Sequence, residues 1–293
     1  MSSPGSLGMP VPPTIAGAPR SRRPVNASLV VGAVIVLLVV VMAVVSFLWT
    51  PHDPTLVAPT QRLQGPGGSY WLGTDKFGRD VFSQILMGSR TTLFVGFVAV
   101  GVAAVIGVPL GILAAMAPRW FGELLMRGND LLLAFPALLL AIMFSAVFGG
   151  STLVAMLAIG IATVPSFARL IRSGAMQVMG TEYVLAARAA GRRPFAIGLR
   201  HVLPNVSSLV IVQASVSFAI AVLAEAALSF LGFGTPPPTP SWGRMLQESQ
   251  ELLFSAPRLA IFPGVAIAVA VLGFNLLGDG LRDYVDPKLD DRR

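Results

Sequence analysis

Side chains that commonly carry chemistry are sparse in this sequence, and their spacing excludes several kinds of site. Neither of its two lysines, Lys76 and Lys288, follows a glycine, whereas a phosphate-binding P-loop requires a glycine-rich turn ending in Gly-Lys. The chain has no cysteine, and its two histidines, His52 and His201, are far apart in sequence. A thiolate metal site is therefore excluded, and the histidines are not expected to share a metal ion. We predict a non-catalytic chain with no metal or cofactor of its own.

Four polar residues within apolar stretches are candidates for a role inside a membrane. Glu225 lies in the stretch 207–230, where a charged group is costly unless it faces a cavity or a partner. It either lines a polar path or its outer gate, or makes a structural hydrogen bond near the membrane surface. Gln213, Ser217 and Asn275 are open to the same two interpretations, as path-lining groups or as contacts that stabilise a helix bundle.

The elements that carry these residues are apolar helices. The chain is 54% hydrophobic and only 12% charged, whereas a soluble domain carries about a quarter charged residues. Six stretches are long enough, at about 1.5 Å per residue, to cross a hydrocarbon core of about 30 Å. They are 28–48, 92–116, 131–149, 151–170, 207–230 and 259–278. The sequence therefore predicts an all-α membrane protein with six transmembrane helices.

The distribution of positive charge predicts the orientation of these helices. With the N-terminus inside, 15 of the 21 Lys and Arg residues lie on the inner side and six on the outer side. Positive residues near span ends are retained in the cytoplasm, so both termini are predicted to be cytoplasmic. The basic residues are spread over loops rather than gathered into a patch with aromatic residues, which argues against nucleic-acid binding despite the net charge of +7.

The same pattern divides the chain into five parts. In order, it predicts a disordered cytoplasmic tail (1–24), a first transmembrane helix (25–50), an external segment (51–91), a transmembrane core (92–280) and a cytoplasmic C-terminal tail (281–293). Within the external segment, apolar residues at helical spacing over 79–90 predict a helix lying along the membrane surface. Within the core, a cytoplasmic loop is predicted at about 171–206.

This cytoplasmic loop contains the pattern of a short helix. Glu182 to Ala190 is a strong helix-forming run with several small residues, Thr181 is a candidate N-cap, and Gly191 can end the helix. Small side chains allow such a helix to seat deeply in a groove on another protein. The residues predicted to make this contact are Glu182, Tyr183, Ala186, Ala187, Arg188, Gly191, Arg192 and Pro194.

The loop resembles the EAA loop of bacterial ATP-binding-cassette importer permeases. That pattern is Glu-Ala-Ala, three residues, Gly, nine residues and Ile-x-Leu-Pro, and it aligns with EYVLAARAAG and the later RHVLPN. The matching residues are Ala186, Ala187, Gly191, Leu203 and Pro204. Leu185 replaces the glutamate and His201 replaces the isoleucine, while Glu182 offers a carboxylate about one helical turn earlier.

Three further segments resemble the second, or C-type, permease subunit of the dipeptide, oligopeptide and nickel transport family. They are LGTDKFGRDVFSQILMGSR at 72–90, AEAALSFLGFG at 224–234 and PSWGRML at 240–246. The resemblance implies a type I importer permease in the bacterial inner membrane. Residues of the outer segments are predicted to contact an external binding protein or to brace the outer vestibule, with a solvated turn held by local ion pairs as the alternative. Those candidates are Asp75, Arg79, Asp80 and Trp242.

The resemblance further implies several partners. It implies a heterodimer with a homologous permease, two cytoplasmic ATPase subunits or a fused pair that bind ATP and magnesium, and an external substrate-binding protein. The loop helix would couple the ATPases to the permease, and the four polar span residues are candidates for the translocation path. Short peptides are the expected solutes, with nickel chelates, glutathione or another small solute as alternatives. A secondary transporter or channel is the alternative of another class, and it would require inverted repeats and coupling residues in the spans.

Overall fold

The computed structural model describes residues 27–285, so the predicted tail at 1–24 and residues 286–293 lie outside the described part. The described chain folds into α-helices joined by loops and single turns. The helices are α1 (Ala27–Leu48), α2 (Val81–Met116), α3 (Arg119–Leu133), α4 (Ala137–Phe148), α5 (Thr152–Met179), α6 (Glu182–Ala189), α7 (Pro194–Ile197), α8 (Leu203–Phe230), α9 (Trp242–Ser249) and α10 (Arg258–Val285). A π-helical turn, Gly198–Val202, joins α7 to α8. The predicted all-α class is confirmed.

Five helical segments in residues 27–285 are long and apolar enough to cross a membrane. They are α1, α2, α5, the continuous α7–α8 segment and α10. The third predicted span, 131–149, is not a straight helix, because α3 and α4 meet at an angle of 79°. Proline disfavours helical backbone in the preceding residue, and Pro136 stands immediately before α4. With 12 residues, α4 is only about 18 Å long.

Helix boundaries outside the apolar stretches differ from the predictions. No separate surface helix forms over 79–90; these residues enter α2 directly, because Asp80 caps it by accepting a hydrogen bond from the backbone N–H of Ser83 at 3.1 Å. At the other boundaries, α5 continues to Met179 and α10 to Val285. The predicted loop at 171–206 and the predicted tail from 281 therefore each begin inside a helix. Hydropathy marks the membrane-crossing part of a helix but not its extension beyond the membrane.

Two glycines allow α2 and α5 to pack closely. A Cβ on Gly107 would lie 2.6 Å from the Cβ of Phe167, and a Cβ on Gly111 would lie 2.6 Å from the carbonyl oxygen of Ala168. Real side chains cannot occupy such positions without moving the neighbouring helix. The absence of side chains at these two positions therefore sets the distance between α2 and α5, as small residues commonly do between membrane helices.

The 36-residue helix α2 connects the two ends of the described structure. At its N-terminal end, the carbonyl of Ile85 accepts a hydrogen bond from the indole of Trp242 at the start of α9. At its C-terminal end, Met116 faces the segment that follows α6, where it lies close to Gly198. Helices of this length span about 54 Å. The α6 and α9 regions consequently lie at opposite ends of the bundle.

Candidate functional site

Helix α6 presents most of its side chains to solvent. Val184 is fully buried, whereas its neighbours Tyr183 and Leu185 are 46% and 50% exposed. Glu182 and Ala186 are also exposed. We call the exposed residues Glu182, Tyr183, Leu185, Ala186 and Arg188 the α6 surface. This helix of eight residues is held by one fully buried side chain and leaves most of its remaining surface exposed.

Helix α6 lies at the predicted position, but its N-terminal end lacks the predicted capping hydrogen bond. Thr181 occupies the N-cap position, but its hydroxyl donates to the carbonyl of Val178 at 2.6 Å and makes no capping bond. Gly191 ends the turn with φ at +73°, a conformation that side chains other than glycine rarely adopt. The backbone N–H of Arg192 then donates to the carbonyl of Ala187 at 3.1 Å. Gly191 is confirmed as the residue that turns the chain.

The segment after α6 anchors this helix to the transmembrane core. Ile197 and Val202 are buried in the same apolar cluster as Val184. That cluster also contains Phe167 and Ile171 of α5. Because interiors are closely packed, a movement of α6 must be accommodated by its neighbours in this cluster. Helix α6 is thus connected to the long apolar helices by direct side-chain packing.

Beside α6 lies an apolar groove of about 650 Å³ between the ends of α2 and α3 and the start of α7. Met116 and Phe121 line one wall, and Phe195 and Leu199 line the other. Phe195 is 78% exposed. Phe195 was not predicted as a site residue, because an apolar residue in an amphipathic loop is expected to be buried and no sequence pattern marks it as exposed.

At the opposite end, a cluster of charged side chains joins residues 51–80 to helix α9, and we call these two segments together the α9 module. Arg79 forms an ion pair with Asp75, with Nε and Oδ2 2.6 Å apart, and a second ion pair with Glu248 of α9. The carboxylate of Glu248 also accepts from Arg244 at 2.9 Å. The Arg79, Asp75 and Glu248 side chains are only 9%, 13% and 16% exposed. Their mutual neutralisation allows this burial.

The module's other predicted site residues are also buried. Trp242 is 1% exposed, and its indole nitrogen donates to the carbonyl of Ile85 at 3.0 Å. Asp80 is 2% exposed and accepts from the hydroxyl of Ser83 at 2.6 Å. Asp80 and Trp242 therefore have almost no exposed surface of their own in this structure, and ion pairs account for the side chains of Asp75 and Arg79. These contacts favour the bracing role, and a direct contact with a binding protein stays a prediction. The four residues brace the module.

Glu225 lies in a polar cluster near the end of α8. It is 1% exposed and accepts hydrogen bonds from the hydroxyls of Ser229 at 2.6 Å and Thr235 at 3.4 Å. The Thr235 hydroxyl is also 3.4 Å from that of Thr152, the first residue of α5. Glu225 thus joins α8 to the loop that follows it and, through Thr235, to α5. In this conformation its carboxylate has no exposed surface on a path.

The other three polar span residues lie on α8 and α10. The amide of Gln213 donates to the hydroxyl of Ser217, one turn along α8, at 3.1 Å. Asn275 is half-buried on α10. Between these helices the rings of Phe218 and Phe274 stack at 4.1 Å. The structure therefore brings Gln213 and Ser217 together, and it places Asn275 next to an aromatic contact between α8 and α10.

Two members of the charged cluster, Arg244 and Glu248, were not predicted as site residues. Their separation by four positions on a helix is a signal that a search for i, i+4 ion pairs would have found. The contact of Glu248 with Arg79, 169 residues away in sequence, has no local signal. In the part of the chain from 27 to 285, no three His, Cys, Asp or Glu side chains lie close enough together to hold a metal ion.

An all-helical bundle of long apolar helices with an exposed short helix at one end is the architecture of a polytopic membrane protein. The chain belongs to the family described as the binding-protein-dependent transport system inner membrane component, whose model matches residues 107–291. The resemblance to importer permeases is confirmed by this match.

Curated relatives extend the likeness over most of the chain. A dipeptide transport system permease protein of Alkalihalophilus pseudofirmus is 44% identical over 264 residues, which cover 90% of this chain and 87% of the relative. A putative peptide transport system permease protein of Brucella abortus is 41% identical over 292 residues, or 99% and 98% of the two chains. A glutathione transport system permease protein of Pectobacterium atrosepticum is 41% identical over 261 residues, or 89% and 87%.

A solved structure also resembles the fold. A chain of the MetNI methionine ABC transporter in an inward-facing conformation matches with a TM-score of 0.58 and 18% sequence identity. The match covers 69% of this chain and 97% of the other. At this identity the likeness establishes a shared fold alone.

Proposed function

We propose that this chain is the transmembrane permease subunit of an ATP-driven importer and forms half of the translocation path for short peptides delivered by an external substrate-binding protein. The observation that carries this proposal is the 44% identity with a dipeptide permease along 90% of the chain. The exposed α6 surface supplies a place for a motor to act. ATP and magnesium would be bound by the partner ATPase subunits, since this chain has no Gly-Lys phosphate loop.

The proposed topology has six spans in the bacterial inner membrane with both termini in the cytoplasm. It counts the bent α3–α4 pair as one broken span. Broken helices are tolerated in membranes where the freed backbone groups are buried in protein or face water. This topology places α6 and its groove in the cytoplasm and the α9 module outside, in agreement with the distribution of Lys and Arg.

Several partners follow from this arrangement. A homologous second permease would complete the path, and each permease would offer one short helix to one of two ATPase subunits, or to one half of a fused pair. The α6 surface and the neighbouring exposed Arg192 and Pro194 would enter the ATPase groove. Because Leu185 occupies the place of the family glutamate, the nearby carboxylate of Glu182 is the proposed polar anchor.

Peptide uptake by cells tests the function directly. We expect cells lacking this chain to lose uptake of a radiolabelled dipeptide, and the restored chain to recover it. An excess of unlabelled dipeptide should compete strongly, and glutathione weakly. Glutathione uptake is the second candidate because a glutathione permease is 41% identical. Dipeptide uptake that is unchanged without the chain, with loss of glutathione uptake, would replace the first candidate by the second.

We further propose that Glu225 holds an outer gate by tying the loop after α8 to the helix ends. Gln keeps the shape of Glu225 but replaces one carboxyl oxygen by an NH2 group, which can only donate hydrogen bonds, so the buried cluster must rearrange its contacts. Glu225→Gln is therefore expected to reduce dipeptide uptake several-fold at equal amounts of protein. Ser215→Ala is the matched control, since Ser215 is only partly buried on α8 and its hydroxyl bonds only its own helix, at the carbonyl of Ile211. A lower melting temperature with full uptake would limit Glu225 to a structural role. In that case Gln213, Ser217 and Asn275 remain the proposed path residues.

A further inference from the structure

One arginine of the long apolar helix α2 has no acidic partner among residues 27–285. Arg90 lies nine residues after the start of α2, and its Nε donates to the hydroxyl of Ser46 in α1. Its guanidinium lies 3.9 Å from the ring centroid of Phe47. No carboxylate in residues 27–285 lies within ion-pair distance of Arg90, and its four Nη hydrogens have no acceptor among the same residues. A guanidinium in an apolar helix is costly unless an anion pairs with it.

The guanidinium opens into a groove of about 700 Å³ between α1 and α2. The walls are mainly apolar, and Val44, Phe94 and Phe97 are 54%, 59% and 78% exposed. The only polar residues along the groove besides Arg90 are three threonines, and no acidic residue lines it. The groove thus offers one positive charge at the edge of a long apolar surface.

The position of Arg90 along the bundle matches the level of a membrane surface. Its two contacts, Ser46 and Phe47, are in the last turn of α1. Trp49 follows, and its ring lies 6.1 Å from that of Trp71. Tryptophan clusters of this kind are typical of the headgroup region. Lipid phosphates are concentrated at this level, and Arg90 can reach them while the acyl chains lie along the groove.

We propose that the groove between α1 and α2 binds one anionic phospholipid, with its phosphate paired to Arg90 and its acyl chains on Val44, Phe94 and Phe97. Arginine suits this role because its planar set of N–H donors matches two phosphate oxygens. The apolar walls favour a lipid over free phosphate, because free phosphate would contact only the Arg90 guanidinium and would leave the walls uncovered. Because no acidic side chain lines the groove, an anion can bind there without repulsion. Anionic lipid headgroups are present throughout the membrane surface at the height of Arg90.

Titration of the assembled, delipidated transporter with phosphatidylglycerol, followed by native mass spectrometry, tests this site. We expect one phosphatidylglycerol to bind in the groove of this chain, about tenfold more tightly than phosphatidylcholine. Arg90→Gln should weaken binding about tenfold, as expected for a lost charged hydrogen bond. Arg62→Gln is the matched control, because it removes an exposed arginine that bonds a backbone carbonyl outside the groove. Equal binding by the two variants would overturn the proposal.

Further measurements keep the test decisive. If Arg90→Gln does not assemble, Arg90→Lys should bind more weakly than wild type, and Val44→Trp should lose binding by filling the groove. Full binding by both variants would overturn the site. Inorganic phosphate binding as tightly as the lipid would also overturn the lipid site.

The chain has no cysteine, so Phe94→Cys gives one labelling position on it. Cross-linking of that cysteine to another polypeptide in the transporter would identify the groove as a protein interface and refute the lipid site.

Discussion

Replacement of Arg79 by glutamine should lower the free energy of unfolding of the α9 module by about 3–5 kcal/mol, the usual cost of removing one partner from a buried ion pair. The change leaves the carboxylate of Asp75 without its guanidinium. Glu248 keeps only Arg244, and the link between residues 51–80 and α9 is weakened. Thermal unfolding of the purified transporter, together with proteolysis of residues 51–80, measures the effect. Both a lower melting temperature and faster cleavage in that segment are expected.

Lys76 provides a matched control in the same module. Its ammonium forms an ion pair with Glu251 at 3.2 Å, but that carboxylate is 79% exposed. Exposed pairs of this kind contribute only about 0–1 kcal/mol. Lys76→Gln should therefore leave melting and proteolysis nearly unchanged. If both variants lose the same stability, or neither does, the bracing role of Arg79 is incorrect.

Replacement of Ala186 by tryptophan is expected to separate the permease from its motor. Ala186 is an exposed member of the α6 surface, and an indole there would prevent deep seating of α6 in an ATPase groove. Because the side chain points away from the core, the chain should remain folded in the membrane. We expect ATPase co-purification and dipeptide uptake to fall at least about tenfold, the effect of losing a central interface contact.

Two variants control for size and position. Ala186→Ser adds one atom at the same site and should retain uptake. Gly128→Trp adds the same indole to exposed helix α3, where a new Cβ would meet no atom within 4 Å, and should retain ATPase binding. Ala186 is a better target than Gly191, whose left-handed backbone would be strained by any side chain. Normal ATPase content and full uptake in Ala186→Trp would refute the coupling role of α6.

The sequence was most informative where a local rule applies. Apolar length predicted the position of α1 to within one residue, since 28–48 became Ala27–Leu48. The small-residue run and Gly191 predicted α6 and its end. The third span was predicted less well, because hydropathy does not register the break that precedes Pro136. Local rules describe propensity along the chain, and an angle between two helices depends on what each packs against.

The site residues also divide into those predicted from local sequence and those whose contacts depend on remote segments. The exposed face of α6 was predicted from residue types, because small and charged side chains in a loop remain near solvent. Arg79 and Trp242 were predicted in the outer segments from residue types, but their burial was not predicted. Arg79 meets Glu248, and Trp242 meets the carbonyl of Ile85, 157 residues away. Such partners become neighbours only when α9 folds back onto the start of α2.

By itself, the sequence determined that this chain is helical, is rich in apolar stretches of membrane-spanning length and has no Gly-Lys phosphate loop, and it predicted the small-residue helix α6 as the site of coupling. Each of these properties depends on composition or on residues a few positions apart. Only the tertiary structure decided that the outer charged residues brace the α9 module, that Glu225 is tied to a loop, and that Arg90 faces an apolar groove without an acid. Burial and ion pairing depend on distances between remote segments, and the packing of the whole bundle sets those distances.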